Sequence, residues 1–320
     1  MFHYIKNGDT LARLAQEIGL ENPVYLKEYN NTQCLPPDRI TEELEPGKRL
    51  LIPKLTEIEQ YNARRDAPFW LPEANPVLEW KAEQLNRTYQ VKVRNNIEGQ
   101  DKGSFQYRVQ LQWLRSDHGY QQYSWSRSHY RFGKETKISQ LASACSEAIN
   151  PLLITLNQKG GLQQIGIDTQ VLGRWPEIKT ALSDAFPDSY AAAYIEDLGY
   201  VLFQQHLVDR RMRQDPFIKT FFAPIRATFN KGFSFFSLNL APDGMPVRIQ
   251  QEVATLDYTD SIPLLQSLAG TTFGDDQANL FYEGKYILSR KDGSIWSANV
   301  HTRALSGDIQ KESFIELEAE

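Results

Sequence analysis

A chain of 320 residues, 41% hydrophobic and 23% charged, has the composition of an ordinary soluble globular protein with room for a small module and one larger domain. Its net charge of −5 argues against a nucleic-acid partner, whose phosphates call for a basic face. No run of about 18 apolar residues occurs, so no membrane-spanning helix is expected. Two cysteines, Cys34 and Cys145, make no disulfide framework.

In chain order, His3–Lys6 reads as a short strand running into the turn pair Asn7–Gly8. Asp9 stands at an N-cap position before Leu11, Leu14, Ala15 and Ile18, whose spacing predicts a helix with one buried stripe, closed at Gly19. A second helix starts at Pro23, carries Val24, Tyr25, Leu26 and Tyr29, and is expected to stop at Asn30–Asn31. After a polar loop, Pro46–Gly47 turns the chain into a short strand, Leu50–Ile52, closed by Pro53.

These residues carry a family resemblance. Tyr4, Gly8-Asp9-Thr10-Leu11, Leu14-Ala15, Leu26, Asn30, Pro46-Gly47, Leu50 and Ile52-Pro53 occur in the order and framing of a LysM domain, and residues 3–53 resemble that family. The resemblance covers about a sixth of the chain. It implies a βααβ module that binds N-acetylglucosamine polymers, peptidoglycan or chitin. It also implies a groove formed by Gly8, Asp9, Thr10 and Leu11 on one side and Asn30, Asn31 and Thr32 on the other. One departure is the loop from Thr32 to Glu45, longer than the family's and carrying Cys34, Pro36–Pro37 and the acidic run Glu42-Glu43-Leu44-Glu45. The same residue types also serve as turn, cap and core, and such a fold can equally be a protein-docking module.

Residues 56–80, with Pro68, Pro72 and Pro76 among Phe69, Trp70 and Trp80, read as a linker and entry segment between a module at 1–55 and a domain at 81–320. Beyond it, Tyr89-Val91-Val93 and Phe105-Tyr107-Val109-Leu111-Trp113 alternate with polar residues as half-buried strands. Residues 123–132 alternate as their partner, with both faces partly polar, which suggests an edge or a binding surface around Tyr123, Ser124, Trp125, Ser126 and His129. A helix is expected over 137–149 with Cys145 on its apolar stripe, then a hairpin around Gly160–Gly161. Helices follow over 168–186 (capped by Asp168), 189–207 and from 215. Strands return at 233–240 and 247–256 around the turn Pro242-Asp243-Gly244, at 278–289 and 294–304 around Lys291-Asp292-Gly293, and at 314–317. The expected class is therefore α+β: an N-terminal βααβ LysM-like module, then antiparallel hairpins with a central helical block. The layout of the larger part is similar, in topology alone, to sheet-over-helix lipoprotein-carrier folds, and no function follows from that.

Catalytic signatures are missing from the chain. It has no Gly-x-Ser-x-Gly, His-Glu-x-x-His, Walker or dinucleotide motif, and His3, His118, His129, His206 and His301 lack metal-ligand spacing. No catalytic residue, metal or cofactor is assigned. The acid pairs Glu196–Asp197 and Asp275–Asp276 leave an unfamiliar wall hydrolase as the weakest reading. Two others stand ahead of it. The first is a non-catalytic glycan binder acting through the LysM-like module. The second is an adaptor or structural component of a contractile-injection or phage-tail-like assembly, with the module docking a protein. Met1 and Phe2 lead straight into the first strand without a signal-type segment, so cytoplasmic synthesis is expected, which favours the second. Glycan binding is placed first because it follows from the one specific resemblance.

Overall fold

The structure, a computed structural model, describes all 320 residues except 241–245, 255–259, 271–279 and 307. It divides into two compact units, Met1–Asn75 and Pro76–Glu320.

In the first unit, β1 (Phe2–Tyr4) precedes α1 (Leu11–Ile18) and α2 (Pro23–Gln33), then β2 (Arg49–Leu51) and α3 (Leu55–Asn62). β1 and β2 pair antiparallel, Phe2 opposite Leu51 and Tyr4 opposite Arg49. Leu14, Ala15, Tyr25, Leu26, Ile40 and Leu50 form the core, and Ile58 of α3 closes it. The expected linker at 56–80 therefore belongs largely to this unit. Asn62 of α3 donates to Gly19 O and accepts from Glu21 N, both at 2.8 Å, which clamps the α1–α2 connection. Helix α2 runs past Asn30–Asn31 to Gln33, because both amide side chains bond to the following loop and leave the helix backbone ladder intact.

In the second unit the chain forms β3 (Arg87–Ile97), β4 (Gln100–Asp117), β5 (Tyr120–Phe132), α4 (Lys137–Ala148), β6 (Leu152–Asn157) and β7 (Leu162–Ile167). Five helices follow: α5 (Thr169–Gly173), α6 (Trp175–Ala185), α7 (Ser189–Leu202), α8 (Gln205–Met212) and α9 (Pro216–Phe221). The unit ends with β8 (Phe233–Leu238), β9 (Val247–Val253), β10 (Ser261–Leu268), β11 (Phe281–Ser289), β12 (Ile295–Ser306) and β13 (Ile309–Ala319).

The expected fold class is overturned. Among the described residues, the hairpins are not separate: eleven strands form one antiparallel sheet in the order β7-β6-β5-β4-β3-β13-β12-β11-β10-β9-β8, and the fold is β-rich. Nor does the chain begin with a four-element βααβ module followed by a helical block. The first unit includes α3, and residues of the later helices share one core cluster with the inner face of the sheet. β10 has no counterpart in the sequence reading. The turn at 242–244 and the pair Asp275–Asp276 lie outside the described residues. β5 is an interior strand between β4 and β6, with Tyr123 and Trp125 fully buried, so it is not an edge and these two rings belong to the core. Among the described residues, no helix is long and apolar enough to cross a membrane.

Helix α9 fills the inner face. Phe217 stacks on Trp125 at 6.2 Å, and Phe221 meets Tyr89 at 5.2 Å. Tyr286 of β11 donates to the Thr220 carbonyl at 3.1 Å. The helix start is set by Asp215, whose carboxylate accepts from Phe217 N (2.9 Å), Tyr107 OH (2.9 Å) and Arg127 Nη1 (3.2 Å). Burial, reinforced by the Asp215 charge, holds the Tyr107 phenol well above its usual range.

A second buried polar chain lies beneath β9–β11. Gln251 donates to Ile225 O at 2.8 Å, Gln266 donates to Gln251 Oε1 at 2.7 Å, and Tyr282 OH donates to Gln266 Oε1 at 2.7 Å. Gly284 leaves room for this chain, since a Cβ there would stand 2.5 Å from Gln266 Oε1 and displace it. Gln266→Leu should remove the donor to the buried Gln251 oxygen and the acceptor of the Tyr282 hydroxyl, and destabilise the protein by about 2 kcal/mol or more. Equilibrium urea denaturation measures this, and an unchanged midpoint would contradict it.

Candidate functional site

The residues implied as a glycan groove are placed on the two connections of the first unit. Gly8, at φ +85°, makes the β1–α1 turn and is exposed. The N-cap of α1 is Thr10, whose hydroxyl accepts from Arg13 N at 3.2 Å, and not Asp9 as the spacing suggested. Asp9 has turned inward, and its side chain is 1% exposed. It accepts from His3 Nε2 at 2.7 Å and from Lys6 N at 2.8 Å, and it pairs with Arg13. The His3 and Lys6 bonds, with the Arg13 charge, outweigh burial and hold the Asp9 carboxyl below its usual range. Leu11 is half-buried against the core.

On the other connection, Asn30 is fully buried. Its amide donates to Asp38 O at 3.0 Å and accepts from Leu51 N at 2.9 Å, which ties α2 to β2 and to the long loop. Asn31 holds Ile40 at both backbone groups, at 2.7 and 2.8 Å. Thr32 bonds back to Glu28 O at 2.7 Å. The 32–45 loop is thus folded onto α2, with Ile40 in the core. Register keeps the two sets apart along the ribbon. Asn30 grips Leu51, opposite Phe2, whereas the Gly8 turn follows Ile5, whose backbone pairs with Gly47 and Lys48.

The outward face of the ribbon is apolar and cationic. Phe2 and Tyr4 are 50% and 58% exposed and stand edge-to-face at 5.4 Å and 82°. Arg49 lies 5.5 Å from the Phe2 ring centre and reaches Asp38 at 3.8 Å. Sequence reading passed over this face, although the i, i+2 spacing of Phe2 and Tyr4 was a visible signal.

In the second unit, Glu312 gathers Asn96 (2.8 Å), His301 (2.9 Å) and Arg303 (2.9 Å). Burial pushes its carboxyl up, but these hydrogen bonds outweigh it and hold the group at about 2. Glu196 and Asp197 lie in solvent-facing pairs with Lys179 and Arg211. Cys145 is buried, and burial raises its thiol to about 11, the opposite of what a nucleophile needs. Among the described residues, no group of three or more His, Cys, Asp or Glu could hold a metal ion.

No family model and no curated protein matches the chain. Among solved structures it is similar to a lipovitellin, reported under lipid–protein interactions in lipovitellin, at 11% identity and a TM-score of 0.36, over 73% of this chain and 25% of that one. It is also similar to Rv2717c from M. tuberculosis, at 11% identity and a TM-score of 0.25, over 76% of this chain and 99% of that one. The chain spans about a quarter of the lipovitellin chain's length. Likeness at this level carries no functional argument.

Two outcomes follow from this geometry. Asn30→Ala should free the Leu51 amide and destabilise the first unit by about 2 kcal/mol. Hydrogen exchange at Leu51 reads this, and unchanged exchange would show that Asn30 does not hold β2. Because the folded Glu312 carboxyl sits below its ordinary 4.5, its contribution is present above that pH and is lost as pH falls towards about 2. Glu312→Gln should therefore flatten part of the acid-induced fall in Tm between pH 5 and pH 2, and a variant with the same slope as the parent would contradict this.

Proposed function

We propose that this is a non-catalytic docking protein whose first unit recognises a protein partner through the Phe2–Tyr4–Arg49 face. One observation carries the reading: Asp9 and Asn30, the polar groups that a sugar reader would present, are occupied by the unit's own backbone and side chains. What remains free is a pair of exposed rings beside a guanidinium, the residue types favoured at protein contacts. The rings stand nearly perpendicular and give no flat platform for a pyranose.

A second reading, binding of peptidoglycan or chitin by a LysM-like surface, is favoured by the framed Gly8-Asp9-Thr10-Leu11 and Pro46-Gly47 motifs and by the exposure of Gly8 and Thr10. Sedimentation with insoluble peptidoglycan and chitin separates the two. The docking reading expects the intact chain to stay in solution. It also expects a photo-crosslinker at Tyr4 to give a discrete adduct in extract of the source cells, lost in Phe2→Ser. Co-sedimentation that survives Phe2→Ser and is lost on altering the exposed Thr10 side chain would establish the glycan reading instead.

A further inference from the structure

Strand β5 buries one charged residue, Arg127, two positions beyond Trp125, and its guanidinium lies 4.7 Å from the Trp125 ring centre. Where α4, α7 and α8 approach this residue they leave a pocket of about 230 Å³, smaller than drug-sized sites. Its lining has two characters. Ile149 of α4, Leu198 of α7 and Met212 of α8 make it apolar, whereas Arg127, Tyr194 of α7 and Arg211 of α8 bring donors to it.

Arg127 is 7% exposed, and a guanidinium buried so far is expected to have its five donors met. Among the described residues, Nη1 donates to Asp215 at 3.2 Å, Nη2 reaches only the Met212 sulfur at 3.8 Å, a weak acceptor, and Nε has no partner. Asp215 is already shared, since its carboxylate also accepts from Tyr107 OH and Phe217 N. Arg211 adds a second cation to the lining, and the carboxylate beside it, Asp197, stands 3.7 Å away in solvent. Arg211 Nη2 donates to Tyr194 OH at 3.4 Å, which leaves that hydroxyl's own proton for another acceptor. The lining thus sets two arginines against the single carboxylate of Asp215. Water in the pocket meets the donors but does not neutralise the charge, and it gains nothing from the apolar wall. A carboxylate on a short apolar chain matches both parts of the lining.

We propose that this pocket binds a short aliphatic carboxylate, its oxygens on Arg127 Nη2, Arg211 and the Tyr194 hydroxyl and its chain against Ile149, Leu198 and Met212. The test is calorimetric titration of the full chain with hexanoate, and with hexylamine, hexanol and inorganic phosphate as counter-probes. Saturable one-to-one binding of hexanoate is expected, weakened about tenfold by Arg211→Gln, which removes one charged donor. Ser146→Phe, which fills the pocket from α4, should abolish it. Arg210→Gln, at an exposed neighbouring arginine outside the lining, should change it less than twofold. The Arg211 side chain is exposed, so Arg211→Gln is expected to keep the parent's melting curve and decides the matter alone if Ser146→Phe unfolds. Absence of saturable hexanoate binding, equal binding of hexylamine, hexanol or bare phosphate, an equal loss in Arg210→Gln, or full binding by a folded Ser146→Phe would overturn the proposal.

Discussion

The pairing of β13 with β3 is the constraint on which the second unit depends. It runs from Lys311 opposite Ile97 to Ala319 opposite Tyr89, and joins strands more than 200 residues apart in sequence. Each half of the sheet is otherwise a local meander, β3 to β7 and β8 to β13, in which neighbours in sequence are neighbours in space. Without this seam each meander would end in a long unpaired edge, the surface that proteins protect against association. The seam carries apolar pairs on its inner side, Val93 opposite Ile315 and Val91 opposite Leu317. On its outer side it carries the ionic and stacked pairs Lys92–Glu316 and Arg94–Phe314. A seam closed across such a distance is expected to form late, because loop closure must precede the contacts that stabilise it.

Helix α9 reinforces that seam from inside. It touches Tyr89 and Trp125 of the first meander and accepts from Tyr286 of the second, so it bridges both halves. Its position depends on Asp215, which caps the helix and accepts from Arg127 and Tyr107 on the sheet. A buried ion pair of this kind adds little net stability, since desolvation offsets much of the attraction. What it supplies is position: an unpaired Arg127 or Asp215 would be costly, so competing placements of α9 are disfavoured. The Gln251–Gln266–Tyr282 chain has the same effect on the register of β9, β10 and β11.

Legibility in the sequence follows the range of the interaction. Alternation at Tyr89–Val93 and Phe105–Trp113 marks β3 and β4, because one face of each is buried against apolar neighbours. Asp168 caps α5 as its position indicated. β10 was hidden because its inward residues include Gln266 and its run contains Pro263, so period-two hydrophobicity breaks where a buried polar network replaces it. β5 was misread for the same reason, since buried Arg127 made an interior face look polar. Merging of the hairpins into one sheet could not be read at all, because the β3–β13 register is a relation between distant segments. In the first unit, residue type indicated that Asp9 and Asn30 hydrogen-bond, but not to what. A backbone amide elsewhere in the unit and a sugar hydroxyl make the same demand on a side chain.

The two outer surfaces differ in a way that bears on how the chain makes contacts. On the ribbon of the first unit, aromatic rings are exposed because a two-stranded sheet has only one face to bury, and Phe2 and Tyr4 fall on the other. On the large sheet, the outer face is mostly polar, and Phe314 persists there only in a stack between His301 and Arg94. That stack fixes a cation whose neighbouring acids are bound elsewhere: Glu312 is held by three donors and Glu316 by Lys92. In an acidic chain, uncompensated arginines could be neutralised by a single substitution to Asp or Glu at a facing outer position such as Ser104 or Gln106. Both positions are neutral, so Arg94 and Arg131 face no acid across the strands.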